Sequence, residues 1–346
     1  MSGEIEVFLD ETPGETRGLI SRDGRYTHLF IERDGDIAAF KLGARSIGRV
    51  AEIDAGLKGA FVDLGGGASG FLPLGKSHDL KQGQKIEVEV SAEPRETKVA
   101  TLRRIGAGEG DPRLLKPGPT VIQSLATLAP NVEIQTGIFA IEAAWEAEEE
   151  ALSGGFVLTG AGLDLAIQRT RAMVTVDIDH AGKRAAGKMG GGGAKTANLL
   201  GLQHAARLIR LNRWGGLVAI DLVGAGQDGD ALLKTARDAF GGDPDVVFGP
   251  LNRFGVLMLS LPWRRTPLDE ILNGTKVRGT LETRAIAVVR CLRHAMLSNT
   301  SAPRLFARCT PQEAEFATSL VAKLGPRAHL KADPDAAPGR CTIEES

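Results

Sequence analysis

Between Ala44 and Arg103 the chain carries five short runs of strand character, SIGRVAEI, GAFVDLG, SGFLPL, KIEVEVSAE and KVATLRR, separated by turns rich in glycine and lysine. Five short strands in about sixty residues fit a small closed barrel such as an OB-fold, in which closure removes the exposed edges. Gly65, Gly66, Gly67 and Gly70 suit its tight corners. In AFVDL, side chains alternate between faces, so Phe61 and Asp63 oppose Val62 and Leu64 and Phe61 looks outward. Phe71 lies at the far end of the same motif, and Lys98 falls on a later strand. Exposed aromatics beside basic residues are how such barrels stack the bases of single-stranded nucleic acid. The competing reading places both rings in the barrel core, and for one isolated Phe it is the better one.

The 346-residue chain has room for two or three domains. Its 42% hydrophobic and 25% charged residues describe a globular protein, and 5% aromatics leave aliphatic side chains and alanine to fill the core. The net charge is −1, so any polyanion site must come from local segregation of charge. The acidic, mixed start from Met1 to Glu15 is not a secretory leader, and no run reaches the length of a membrane span. Cys291, Cys309 and Cys341 are too widely spaced for a zinc motif or a disulfide framework, and read as ordinary thiols of the cytoplasm.

Around the barrel, Glu4 to Glu32 is strand-like, with a turn at Arg22-Asp23-Gly24. Gly106 to Pro119 reads as a proline-marked linker, followed by helices over Val121–Leu128 and Gly137–Leu152, the second with a solvated acidic face. Further on, AMVTVDID predicts a strand that puts Thr175, Asp177 and Asp179 on one face. A glycine-rich basic loop spans Gly182 to Lys195, and a helix spans Thr196 to Asn212, with Leu199, Leu202, Ala206 and Ile209 at helical spacing. Gly215-Gly216 stops it, and GLVAIDL is a buried strand ending near Asp221. A helix over Asp230–Phe240 and strands near Asp245–Phe248 and Gly255–Leu261 follow. The end of the chain reads as a small α/β appendage with helices over Leu281–Ala295 and Pro311–Leu324 and a frayed, proline-rich tail.

Asp177 and Asp221 each stand near the C-terminal end of an apolar strand, and the helix between them returns the chain to the same sheet edge. Two carboxylates brought together this way suit Mg²⁺, which takes one or two protein carboxylates and completes its shell with water or phosphate oxygens. Asp179 adds a third carboxylate to the face. The bland alternative makes each Asp a turn former or helix cap. From Leu163 to Trp214 the basic residues are Arg169, Arg171, Lys183, Arg184, Lys188, Lys195, Arg207, Arg210 and Arg213, nine against the three acids Asp164, Asp177 and Asp179. A net +6 beside paired carboxylates favours a phosphate backbone as ligand, although such runs are also common on solvated faces. Arg169 and Arg171, immediately before the Asp177 strand, are the RNA contacts expected from this set. GKMGGGGAK lacks P-loop spacing and reads as a loop.

These segments resemble the ribonuclease E/G family. GAFVDLGGGASGFLPL is similar to its RNA-binding barrel, VTVDIDHAGKR and RLNRWGGLVAIDLVG to its two metal-ligand motifs, and LNRFGVLML to a late catalytic strand, in family order over roughly Glu4 to Arg265. The resemblance implies an α+β multidomain protein. Residues 1–40 and 105–159 would form an RNase H-like domain interrupted by an OB-fold over 41–104. A DNase I-like catalytic domain would span 160–265, and a small C-terminal domain 266–346. It places the metal on Asp177 and Asp221, base stacking on Phe61 and Phe71, and an RNA contact on Lys98. The implied activity is Mg²⁺-dependent hydrolysis of single-stranded RNA that leaves 5′-phosphates, with Mn²⁺ as an alternative ion.

The departures carry expectations too. A family Asn is Asp179 here, a family Glu falls on Arg171, and an arginine of the 5′-end sensor falls on Asp245. Only a short linker follows Arg104 where the family has its long sensor segment, which predicts little preference for 5′-monophosphorylated RNA. The Cys-x-x-Cys zinc link is missing, so no zinc is expected, and any oligomer would form without it. A non-catalytic RNA-binding protein on the same scaffold is the alternative function. A small-molecule enzyme with a phosphate loop is disfavoured by the lack of a P-loop or dinucleotide fingerprint.

Overall fold

Alternation of apolar and acidic residues in the opening segment produces an antiparallel meander of β1 (Ile5–Thr12), β2 (Glu15–Arg22) and β3 (Arg25–Arg33). The computed structural model describes residues 3–75, 78–180, 191–224, 228–273 and 279–345. Its contacts divide the chain into two compact units, Met1–Ala147 with Arg265–Ser346, and Glu148–Arg264.

In the first unit, the five predicted barrel strands are β4 (Arg45–Asp54), β5 (Gly59–Gly65), β6 (Ala68–Pro73), β7 (Lys85–Ala92) and β8 (Ala100–Ala107). They pair in the order β4-β5-β6-β8-β7, and β7 returns to β4, closing an OB-like barrel with a parallel β6–β8 contact. Alternate residues such as Val50, Val62, Leu64, Ile86, Val88 and Leu102 fill it. Each such aliphatic side chain contributes about 1.5–3 kcal/mol on burial. The expected linker from Gly106 to Pro119 instead holds a sixth strand, β9 (Arg113–Lys116), added to the outside of β4. Its four residues are all exposed, so no hydrophobic alternation announced it.

The chain then forms α1 (Val121–Leu128), β10 (Ile134–Gln135), parallel to β1, and α2 (Ile138–Leu152). Thr120 and Gln123 build the capping box that starts α1. Val7, Leu9 and Ile20 of the meander bury against Val121 and Leu125 of α1.

The second unit is one mixed sheet with helices. Its elements are β11 (Gly155–Leu158), β12 (Leu163–Arg169), β13 (Val174–His180), α3 (Gly191–Asn212), β14 (Gly216–Asp221), α4 (Gly229–Phe240), β15 (Val247–Leu251) and β16 (Val256–Leu261). The order is β11-β12-β13-β14-β16-β15, with β13 and β14 parallel and the other pairs antiparallel. Leu163, Leu165, Ile167, Val176, Ile178, Val218 and Ile220 are buried on one face. There α3 comes so close that a Cβ on Gly201 would lie 2.6 Å from Ile178 Cδ1. Residues 191–195, expected in the loop, begin this helix.

The C-terminal stretch clusters with the N-terminal unit and has more structure than a frayed tail. It comprises α5 (Leu268–Leu272), α6 (Leu281–Ser298), β17 (Leu305–Cys309), α7 (Pro311–Ala322), β18 (Ala328–Ala332) and β19 (Thr342–Glu345). β17 lies between parallel β18 and antiparallel β19. The side chain of Arg290 on α6 reaches the meander face opposite Val7 and Leu9, donating to Asp10 and Glu15. Among the described residues, no helix is long and apolar enough to cross a membrane.

Candidate functional site

In the second unit's sheet, odd positions of β13 and even positions of β12 alternate away from the helices. The open face so formed carries Asp164, Ala166 and Gln168 from β12, and Thr175, Asp177 and Asp179 from β13. The parallel register pairs Asp177 directly with Asp221 on β14. Neighbouring strands run about 4.8 Å apart, and paired residues project to the same side, so the two carboxylates are side by side. They line a depression of about 610 Å³ together with Gln168, Thr175, Ala219 and Val256. The Asp177 carboxyl is pushed above its ordinary range, first by partial burial and then by the charges of Asp221, Asp179 and Asp164.

That repulsion is the physical case for a cation here. Among the described residues, no group of three or more His, Cys, Asp or Glu side chains could hold a metal ion. A carboxylate pair is nonetheless a donor set that fits Mg²⁺, which keeps several waters, and does not fit a structural zinc site, which needs four ligands. Asp179 stands opposite Asp164, and its Oδ1 accepts the His180 backbone N–H at 2.7 Å, so it is partly occupied in ending its own strand. Sequence reasoning left Asp164 out of the site. The strict alternation of LDLAIQR is the signal that places it there.

Among the described residues, Arg207 and Arg210 are turned away from this face, against what their sequence proximity suggested. Helix α3 packs on the covered side. Arg207 is buried there, 2.7 Å from Glu150 and with its guanidinium 5.1 Å from the Phe156 ring centroid. Arg210 donates to the Ala239 carbonyl at 3.1 Å. Arg169 has the parity of the covered face, opposite buried Val174, while Arg171 is exposed in the turn between β12 and β13. Lys183, Arg184 and Lys188 lie outside the described residues. Asp245, the departure on which a sensor arginine falls in the resemblance, is 2.6 Å from Arg264, which also binds Asp243.

In the barrel, Phe61 and Phe71 are direct partners across β5 and β6. Their rings meet edge to face, with centroids 5.4 Å apart at 64°. Both are half-buried, outside the barrel's core cluster, as the alternation of AFVDL requires. Gly59 makes room for the pair: a Cβ there would lie 2.0 Å from Phe71 Cζ. Lys98 is exposed and bridges to Arg95 in the turn before β8, not on a strand. No protein-family model matches the chain, and no curated protein matches it.

Proposed function

We propose that this chain is a Mg²⁺-dependent endoribonuclease of the ribonuclease E/G type, which hydrolyses single-stranded RNA and leaves 5′-phosphate ends. In this reading the meander with α1 and α2 is RNase H-like, the barrel is the RNA-binding OB-fold, and the second unit is DNase I-like. The observation that carries the proposal is the register pairing of Asp177 with Asp221 on an open sheet face.

Asp177 and Asp221 would hold the ion, and their mutual repulsion would be relieved by it. Bound Mg²⁺ supplies Lewis-acid polarisation of the scissile phosphodiester and a lowered pKa for the attacking water. Thr175 and Gln168, on the same face, offer hydrogen-bond donors to phosphate oxygens beside the pair. Phe61 and Phe71 present half-exposed ring surface for stacking, and Lys98 adds a positive charge for the backbone.

The test is cleavage of an end-labelled, AU-rich single-stranded RNA with and without Mg²⁺, by wild type and by Asp177→Asn. The expected result is internal cuts that need Mg²⁺, vanish in the variant, and occur equally on 5′-hydroxyl and 5′-monophosphate substrates. Tight binding without cutting would replace the nuclease with a non-catalytic RNA-binding protein. In the same assay, Phe61→Ala combined with Phe71→Ala should weaken RNA affinity by about 1–3 kcal/mol for each stacked base. Unchanged affinity in a titration would remove these rings from the RNA site.

A further inference from the structure

The turn between β15 and β16 presents Phe254, which at 72% exposure is the most open large apolar side chain among the described residues. A solitary exposed ring is ordinary on a protein surface, but this one has two further features. The Arg253 guanidinium lies over the ring, 4.8 Å from its centroid and within the reach of a cation–π contact. Among the described residues no carboxylate pairs with Arg253. The turn is also braced. Asn252 Oδ1 accepts the Phe254 N–H at 2.9 Å and the Val256 N–H at 3.0 Å, and the Gly255 N–H donates to the Asn252 carbonyl at 3.1 Å. Gly255 takes a φ of +83°, where any side chain would be strained. The backbone of the tip is thus fixed while the ring stays in solvent.

This tip stands at the carboxylate end of the sheet. Val256, two residues beyond Phe254, is the register partner of Asp221 and lines the depression with Asp177 and Asp221. Register partners have Cα atoms about 4.5–5.5 Å apart, and two residues of chain span at most about 7 Å, so the Phe254 Cα lies within roughly 13 Å of the Asp221 Cα. We propose that Phe254 stacks a base of single-stranded RNA next to the phosphodiester held at Asp177 and Asp221, with Arg253 supporting the other face of the ring and placing its charge at the RNA backbone. This base contact presupposes the nuclease reading above and adds to it a stacking residue in the second unit, distinct from Phe61 and Phe71 of the barrel.

The chemistry of the tip suits a nucleotide. A base has a π face for the free side of the ring, and stacking of this kind accepts any base. The adjoining phosphate supplies the anion that Arg253 lacks, and a planar guanidinium can stack and bind phosphate at once. The neighbours of Phe254 along the tip, Asn252, Arg253 and Gly255, make no contiguous apolar patch of the kind a protein partner covers. Stacking one nucleotide beside the carboxylate pair restrains the strand where the reacting phosphate must sit, and such positioning is a main source of rate.

The test uses the full chain and an AU-rich single-stranded RNA carrying 5-iodouridine at successive positions, bound without metal so that it stays intact. Ultraviolet light joins 5-iodouridine to an aromatic ring stacked on it. Mass mapping of the digest should place a crosslink at Phe254, from positions next to those cut when Mg²⁺ is added. Phe254→Ala should lose that crosslink and weaken binding about 5- to 150-fold, the equivalent of about 1–3 kcal/mol for one stacked base, while Phe254→Trp should retain both. Because the ring is exposed, the unfolding temperature of Phe254→Ala should match that of wild type. Arg253→Gln should reduce the slope of log affinity against log salt by about 0.7, the share of one phosphate contact on a single strand. An unchanged slope would overturn the part given to Arg253. RNA that crosslinks only elsewhere, with unchanged affinity in Phe254→Ala, would overturn the base contact and leave the nuclease reading standing. A Phe254 crosslink without Mg²⁺-dependent cleavage would support the contact and remove the nuclease, and a wild-type chain that binds no RNA would overturn both.

Discussion

Asp221→Asn is expected to lower Mg²⁺-dependent cleavage of single-stranded RNA on the order of 10³-fold or more, since several kcal/mol of transition-state stabilisation go with the ion and each 1.36 kcal/mol is about tenfold in rate. The substitution keeps the shape of the side chain and its place opposite Asp177 at the end of β14, and touches no barrel residue. RNA affinity measured without metal should therefore hold. The variant also carries a stability signature of known sign. Asp177 is raised above the ordinary carboxyl value of about 3.9. In the window just above that value the folded protein binds more protons than the unfolded chain, so stability falls as pH rises through it. Removing the Asp221 charge lowers the Asp177 pKa, shrinks that loss and leaves the apo variant at least as stable as wild type at neutral pH. Mg²⁺ should raise the unfolding temperature of wild type and leave that of Asp221→Asn nearly unmoved. Cleavage at wild-type rate by this variant would remove the metal assignment outright.

Arg290→Met should destabilise the first unit by about 3 kcal/mol, the lower end of the usual cost of breaking a buried ion pair by removing one partner. Arg290 is 1% exposed. Its Nε donates to Asp10 Oδ2 at 2.6 Å and its Nη2 to Glu15 Oε1 at 2.8 Å, and both carboxylates are themselves buried. Arg17 and Arg33 also hold Glu15, and Arg293 also holds Asp10, so the variant weakens the network without emptying it. Burial alone would raise the Glu15 pKa. Arg17, Arg290 and Arg33 outweigh it and hold the group far below the usual carboxylate range. A depressed carboxyl contributes stability that is present above its unfolded pKa, about 4.3, and lost as pH falls toward the folded value. Arg290→Met should accordingly begin acid unfolding at a higher pH than wild type. Urea unfolding at neutral and mildly acidic pH measures both effects, and an unchanged midpoint at neutral pH would show that the network contributes little.

Local pattern determined the strands and helices whose buried faces repeat at a fixed period. The barrel strands follow from their alternation, with outward-facing Phe61 in AFVDL. The capped helix Val121–Leu128 and the strand carrying Asp177 follow in the same way, because burial on one face leaves a periodic trace in the residues themselves. Where no face is buried there is no trace, and the exposed β9 has the sequence of a linker.

Tertiary structure decided which residues meet. The pairing of Asp177 with Asp221 depends on the parallel register of β13 and β14, which spacing suggested but could not set. The arginines of α3 are close to these carboxylates in sequence yet lie across the sheet from them, because the apolar stripe of the helix must cover the buried face. Asp10 and Glu15 meet Arg290 across some 280 residues. Periodicity is a property of neighbours along the chain. A long-range contact is chosen by the whole set of surfaces that must be buried together, and no single segment contains that information.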